Sequence, residues 1–201
     1  MSKVVGITFT DQPPPGIVYL NIRDKHCRFI GRARREAFYI RAEDISCPLA
    51  RFYLGIGRTK LKELARTLVG WGDAADLAAG LAYLKTGSCF SRSSPYLVYF
   101  PYPRGDIKPA VLITIGTASE IQISVQEICA RTGMRIKSSL SGIGAACGEC
   151  TAYPLVTGQA NVSVGCNGSR PGIGLKSGEL LFALPFNLKS MQPIRLVQFA
   201  V

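Results

Sequence analysis

Apolar residues fall along this chain in short blocks, and their spacing predicts its elements before any chemistry is considered. Two apolar runs, 4–9 and 17–22, flank a Pro-rich turn at 12–16 and read as strands. Leu61, Leu64, Ala65, Leu68 and Val69 recur at helical spacing, with Thr59 as the candidate N-cap and Gly70 as the stop. A second helix is expected over 74–84, capped by Asp73, with Gly87 beyond its end. The run 96–100 reads as a strand closed by the Pro-rich turn 101–105. From 109 to 140 the pattern is strand, helix, strand. A continuous apolar run at 110–115 comes first, then the capping box Thr117-Ala-Ser-Glu120, then Ile121, Val125, Ile128 and Cys129 on one helical face up to Gly133. The run 134–140 is expected to return as a parallel strand through a right-handed crossover. Further on, 161–165 reads as a strand. A short helix is expected from near Ser177 to before Pro185, and the apolar tail 194–201 reads as a strand or docked helix.

These elements predict an α/β protein, with mixed α+β as the neighbouring class. The 201 residues are expected to form a single compact domain around a central mixed sheet. No run is long and apolar enough for a membrane span. The first residues lack the apolar core of a secretory signal, so a cytoplasmic location is expected.

The chain carries 24 Lys and Arg against 13 Asp and Glu, a net charge of +11, densest at Arg28, Arg32, Arg34, Arg35 and Arg41. Such a run can be a solvated face, or a patch for nucleic acid, an anionic cofactor or an acidic protein. No RNA-binding motif accompanies it.

Seven cysteines in a reducing compartment read as ligands, reactive thiols or core residues rather than disulfides. Cys27 and Cys47 form one widely spaced pair, and Cys147 and Cys166 form another with nearly the same gap. Each pair is followed by Gly-Ile-Gly, at 55–57 and 172–174. This predicts half-repeats over about 17–70 and 140–190, related by a pseudo-two-fold axis at which the cysteines meet. Cys150 completes Cys147-Gly-Glu-Cys150, whose flanking glycines suggest a flexible loop serving metal ligation more than dithiol exchange. Cys27 follows Lys25 and His26, basic neighbours expected to lower its pKa. His26 is the only histidine and reads as solvent-facing. Cys129 reads as a core residue and Cys89 as a free loop thiol.

Five thiols remain as ligand candidates: Cys27, Cys47, Cys147, Cys166 and Cys150. Four thiolates suit a [4Fe–4S] cluster or a tetrahedral zinc. Gly168, Arg170 and Gly172 could cradle an anionic group, and Glu149 could accept a hydrogen bond or carry a proton beside the metal. The expected function is iron–sulfur cluster binding for electron transfer, cluster delivery or small-molecule activation. The expected partners are a redox protein or a small anionic ligand, and a homo-oligomer fits as well. A structural zinc protein with a basic RNA- or partner-binding face is one alternative. A thiol redox enzyme using Cys147 and Cys150 is the other.

The chain resembles the ArCR family (domain of unknown function 169) from about residue 13 to 188. The resemblance is carried by Cys27 before an Ala/Arg-rich segment and Glu36, and by Ile-Ser-Cys47-Pro with its following Leu-Gly. It continues through Ala-Cys147-x-Glu-x-Thr151, Pro154 and Gly158, and closes with Ser163-Val-Gly-Cys166-x-Gly168-x-Arg170. Cys150 is an addition to that pattern. A cysteine frequent two residues before the arginine is replaced here by Gly168. The resemblance implies no particular reaction. It implies a family of archaea and anaerobic bacteria, a distribution that accords with an oxygen-sensitive cluster.

Overall fold

The computed structural model describes residues 1–91, 94–133 and 135–186. One seven-stranded sheet runs through them in the order β2-β3-β4-β1-β5-β7-β6. Its strands are β1 (Val4–Thr10), β2 (Val18–Tyr19), β3 (Phe38–Arg41), β4 (Tyr96–Pro101), β5 (Val111–Thr117), β6 (Asn161–Ser163) and β7 (Glu179–Pro185). Only β2 and β3 pair in parallel, and every other ladder is antiparallel. The helices are α1 (His26–Ala33), α2 (Pro48–Tyr53), α3 (Leu61–Gly70), α4 (Leu77–Thr86), α5 (Ala118–Thr132), α6 (Tyr153–Thr157) and α7 (Ser169–Ile173), with a π-helix at Ala145–Ala152 before α6. The mixed α/β class is as expected.

The chain follows the same path twice. β1 leads through α1, which bears Cys27, to β3, then through Cys47 and α2 to β4. β5 leads through the π-helix, which bears Cys147, to β6, then through Cys166 and α7 to β7. In each unit the last strand inserts between the other two, giving β3-β4-β1 on one side and β5-β7-β6 on the other. The registers agree as well. Val5 faces Pro101, as Val111 faces Pro185. Phe38 faces Tyr99, as Asn161 faces Ala183. β1 and β5 meet antiparallel with Gly6 opposite Leu112, the pairing a two-fold axis through that point requires. These units span 4–101 and 111–185, wider than the half-repeats expected at 17–70 and 140–190.

One face of the sheet carries most of the core. Val5, Ile7, Tyr99, Ile113, Leu181 and Ala183 pack there against α1, α2 and the π-helix. The other face of β5 and β7 is covered by α5 through Ile121 and Ile128. β5 is therefore buried on both faces, which explains why its run over 111–115 is apolar apart from the buried Thr114. The capping box is present: Glu120 N–H donates to Thr117 Oγ1 at 3.4 Å, and Thr117 N–H donates to Glu120 Oε2 at 2.7 Å.

Several expectations need correction. The crossover over 109–140 lacks its return strand, since 135–140 joins no ladder and both neighbours of β5, β1 and β7, are antiparallel to it. Asn161 replaces that ladder with its side chain. Its Oδ1 accepts from Ser139 N–H at 2.8 Å and its Nδ2 donates to Ser139 O at 3.0 Å. The helix expected near 177–185 is strand β7, whose alternate side chains feed the two cores. A short apolar run has no period that distinguishes helix from strand. Asp76, not Asp73, caps α4, accepting from Ala79 N–H at 2.8 Å, and Lys60 rather than Thr59 precedes α3. The tail 194–201 lies outside the described residues.

Candidate functional site: a four-thiol cavity

The two paths bring their cysteines to one place. Cys27, Cys47, Cys147 and Cys166 all line a cavity of about 450 Å³. Cys27 sits in the first turn of α1, and Cys47 precedes α2, whose first residue is Pro48. A single parallel bridge between Asp24 and Ile45 sets these two side by side. Asp24 N–H donates to Asp44 O at 3.0 Å, and Ser46 N–H donates to Asp24 O at 2.9 Å. Cys147 lies in the π-helix, and Cys166 lies just before α7.

Close backbone contact joins the halves. A Cβ on Gly31 would lie 2.5 Å from the Gly172 carbonyl oxygen, and one on Gly172 would lie 2.7 Å from Cys27 Sγ. Only glycine at both positions lets α1 and α7 approach this closely. Cys27 Sγ then reaches Gly168 O at 3.4 Å. Cys147 Sγ donates to Gly144 O at 3.5 Å, while Cys166 Sγ accepts from Ser169 N–H at 3.3 Å. All seven cysteines are free of disulfides.

Burial dominates the electrostatics. It pushes the Cys27 thiol up to about 11, and neighbouring Cys166 and Cys47 add to the rise. Lys25 opposes it only weakly, so the expected lowering by basic neighbours does not occur. Burial also raises Cys147 well above the thiol range, with Cys47, Cys166 and Cys27 adding to it. Cys27 and Cys147 are thus each within electrostatic reach of Cys47 and Cys166. Among the described residues, no group of three or more His, Cys, Asp or Glu is gathered closely enough to hold a single metal ion.

Cys150 does not line this cavity. It is fully buried, and burial raises its pKa well above the usual range, with Glu149 adding to the rise. The Cys-x-x-Cys segment is a buried π-helix, not a flexible loop. A π turn is wider than an α turn and carries the third residue on to another face. Cys89 is half-buried and Cys129 only partly covered, so Cys129 is less of a core residue than expected.

His26 is buried rather than solvent-facing. Thr151 Oγ1 spends its proton on Ala146 O at 2.7 Å, so His26 Nε2–H donates to Thr151 Oγ1 at 3.0 Å. Tyr99 O–H then donates to Nδ1 at 2.8 Å. Burial lowers this imidazole to about 3, so it is neutral and ties the first unit to the second.

Glu149 is a buried hub. Its Oε1 accepts from Ser141 N–H at 2.6 Å, Ser141 Oγ at 2.6 Å and Gly142 N–H at 3.1 Å, and Oε2 accepts from Ser163 Oγ. Arg170 donates to the carbonyls of Val164 at 2.8 Å, Lys176 at 2.8 Å and Glu179 at 3.2 Å. Its guanidinium is committed to holding 164–179 and does not line the cavity, which corrects the anion cradle expected of Arg170. Gly172 serves the helix contact, and Gly168 alone of the three lines the cavity.

The basic run is largely paired. Arg28 meets Asp24 at 3.6 Å, Arg32 meets Glu36 at 2.5 Å, and Arg41 meets Glu43 at 3.5 Å. Arg34 donates to the carbonyls of Ser2, Ile173 and Gly174. The sequence reading missed Lys25, Trp71 and Asp73, which also line the cavity. Trp71 is the only tryptophan, the one signal that singled it out. Among the described residues no helix is long and apolar enough to cross a membrane.

Fold and site together define an α/β protein with four free thiols around a ligand-sized cavity. The chain belongs to the ArCR family, described as uncharacterised, whose model matches residues 1–191. It is 27% identical over 179 residues to the uncharacterized protein MJ0308 of Methanocaldococcus jannaschii, a match covering 87% of this chain and 77% of that protein. No solved structure matches it.

Proposed function

We propose that this protein binds an iron–sulfur cluster of the [4Fe–4S] type in the cavity ringed by Cys27, Cys47, Cys147 and Cys166. The observation that carries the reading is the meeting of four free thiols, from four separate segments, on one cavity. Thiolates are the ligands such clusters take. Among the described residues the thiols are not gathered closely enough to hold a metal as they stand, so uptake of iron has to draw them inward. Burial and mutual repulsion keep Cys27 and Cys147 protonated on their own. A cation that displaces those protons relieves both costs, so binding and deprotonation are coupled.

Anaerobic reconstitution with iron and sulfide tests the reading. About four irons and about four sulfides per chain with broad visible absorption are expected. Stoichiometric zinc without colour would move the assignment to a structural metal, and uptake of neither metal would end it.

A further inference from the structure

A second cavity, of about 480 Å³, is lined by Arg32, Arg34, Arg35 and Glu36 at and beyond the end of α1, and by residues 171–174 of α7 and its cap. Gly31 and Gly172 line it too, so the contact that seats α1 on α7 forms part of its wall. Three guanidiniums share this cleft with one carboxylate, and Glu36 already accepts from Arg32 at 2.5 Å. The charges of Arg34 and Arg35 are left uncompensated. Arg34 is clamped in place. Its Nε donates to Ser2 O at 3.2 Å, and its Nη1 donates to Ile173 O at 3.3 Å and Gly174 O at 3.4 Å. Neutral carbonyls fix that guanidinium without cancelling its charge, and its Nη2 has no partner among the described residues. Arg35 Nε donates to Met1 Sδ at 3.2 Å, and both terminal nitrogens of Arg35 are likewise without a partner among the described residues. Elsewhere in the basic run, Arg28 and Arg41 meet Asp24 and Glu43, so the excess charge of the run gathers at the cleft.

We propose that this cleft binds a dianionic phosphate group, as the free ion or as a small monoester, between Arg34 and Arg35. Two uncompensated guanidiniums match the about two negative charges that such a phosphate carries near neutrality, whereas each phosphodiester of a nucleic acid carries a single one. The planar fork of a guanidinium presents paired N–H donors that fit two phosphate oxygens. The carbonyl clamp holds Arg34 before the ligand arrives, so little order is lost on binding. The site asks nothing of the thiols or of a metal, and it stands or falls apart from the cluster.

The test is a nuclear magnetic resonance titration of the isotope-labelled full chain with inorganic phosphate, AMP, cyclic AMP, adenosine and a short single-stranded RNA. Arg35→Gln is the chosen variant, because Arg35 donates only to Met1 among the described residues while Arg34 holds residues 173 and 174. Lys62→Gln, on exposed α3 outside the cleft, is the control. Phosphate or AMP is expected to shift the amides of 31–36 and 171–174 with a dissociation constant of about 1 mM or below, adenosine to shift none, and cyclic AMP to bind about tenfold more weakly than AMP. Arg35→Gln is expected to weaken AMP about tenfold and Lys62→Gln less than about twofold. Inorganic phosphate binding as tightly as AMP would support the site with the free ion as ligand, and tighter AMP would support it with an ester. Four outcomes would overturn it: no shifts with either ligand, shifts confined to other residues, equal weakening in both variants, or an RNA bound more tightly than AMP.

Discussion

The two units that build the cavity reach the same geometry by different means. In the first, Cys27 and Cys47 are set side by side by backbone: the β2–β3 ladder and the Asp24–Ile45 bridge. In the second, the matching segment joins no ladder, and Cys147 and Cys166 are positioned by side chains. Asn161 holds Ser139, and Glu149 holds Ser141, Gly142 and Ser163. A backbone ladder tolerates almost any side chain, whereas a buried hub depends on every donor finding its acceptor. The second unit is therefore where single substitutions should do most damage.

The largest effect is expected from Glu149→Ala. It removes the acceptor of donors on three residues, of which Ser163 is fully buried, and chemical denaturation should show a loss of about 2–4 kcal/mol. A loss under 1 kcal/mol would refute the hub. Gly172→Ala comes next, at about 1–3 kcal/mol, because its methyl would press on Cys27 Sγ. Gly70→Ala, whose methyl meets nothing, should be neutral or stabilising in the same assay and serves as its control.

His26 links the units and gives a pH dependence. The unfolded chain protonates this imidazole near its ordinary value of about 6.5, the folded chain only near about 3. Stability of the metal-free protein is therefore full above about pH 6.5 and falls as pH drops toward 3. By pH 5 the loss should be about 2 kcal/mol, a window in which few carboxylates titrate. A flat profile from pH 7 to 5 would contradict the buried, neutral ring. The smallest effect is kinetic. Iodoacetamide at about pH 8 should alkylate half-buried Cys47 and Cys166 before Cys27, Cys147 and Cys150, which mass spectrometry of the metal-free protein would rank.

Much of this was legible in the sequence, and the gaps have physical causes. β1, β4, β5 and the capped α5 declared themselves through apolar runs and the Thr117–Glu120 box. The four cavity cysteines were legible as two spaced pairs. The α1 helix was hidden by its arginines, although Cys27, Ile30 and Ala33 already kept helical spacing. Cys150 misled because a Cys-x-x-Cys spacing presumes an α-helix or loop, not a π turn. Glu149 and Arg170 looked available to a ligand by their charge, yet each is satisfied by neutral groups that no charge pattern announces. His26 looked exposed because its partners, Tyr99 and Thr151, both lie far downstream in the chain.

Trp71 offers the most direct test of the central claim, because it is the only tryptophan and lines the cavity itself. Its fluorescence, corrected for absorption and followed during anaerobic reconstitution, should fall in step with iron uptake as the cluster forms beside it. Iron uptake that leaves the emission of Trp71 unchanged would place the metal elsewhere and contradict the account.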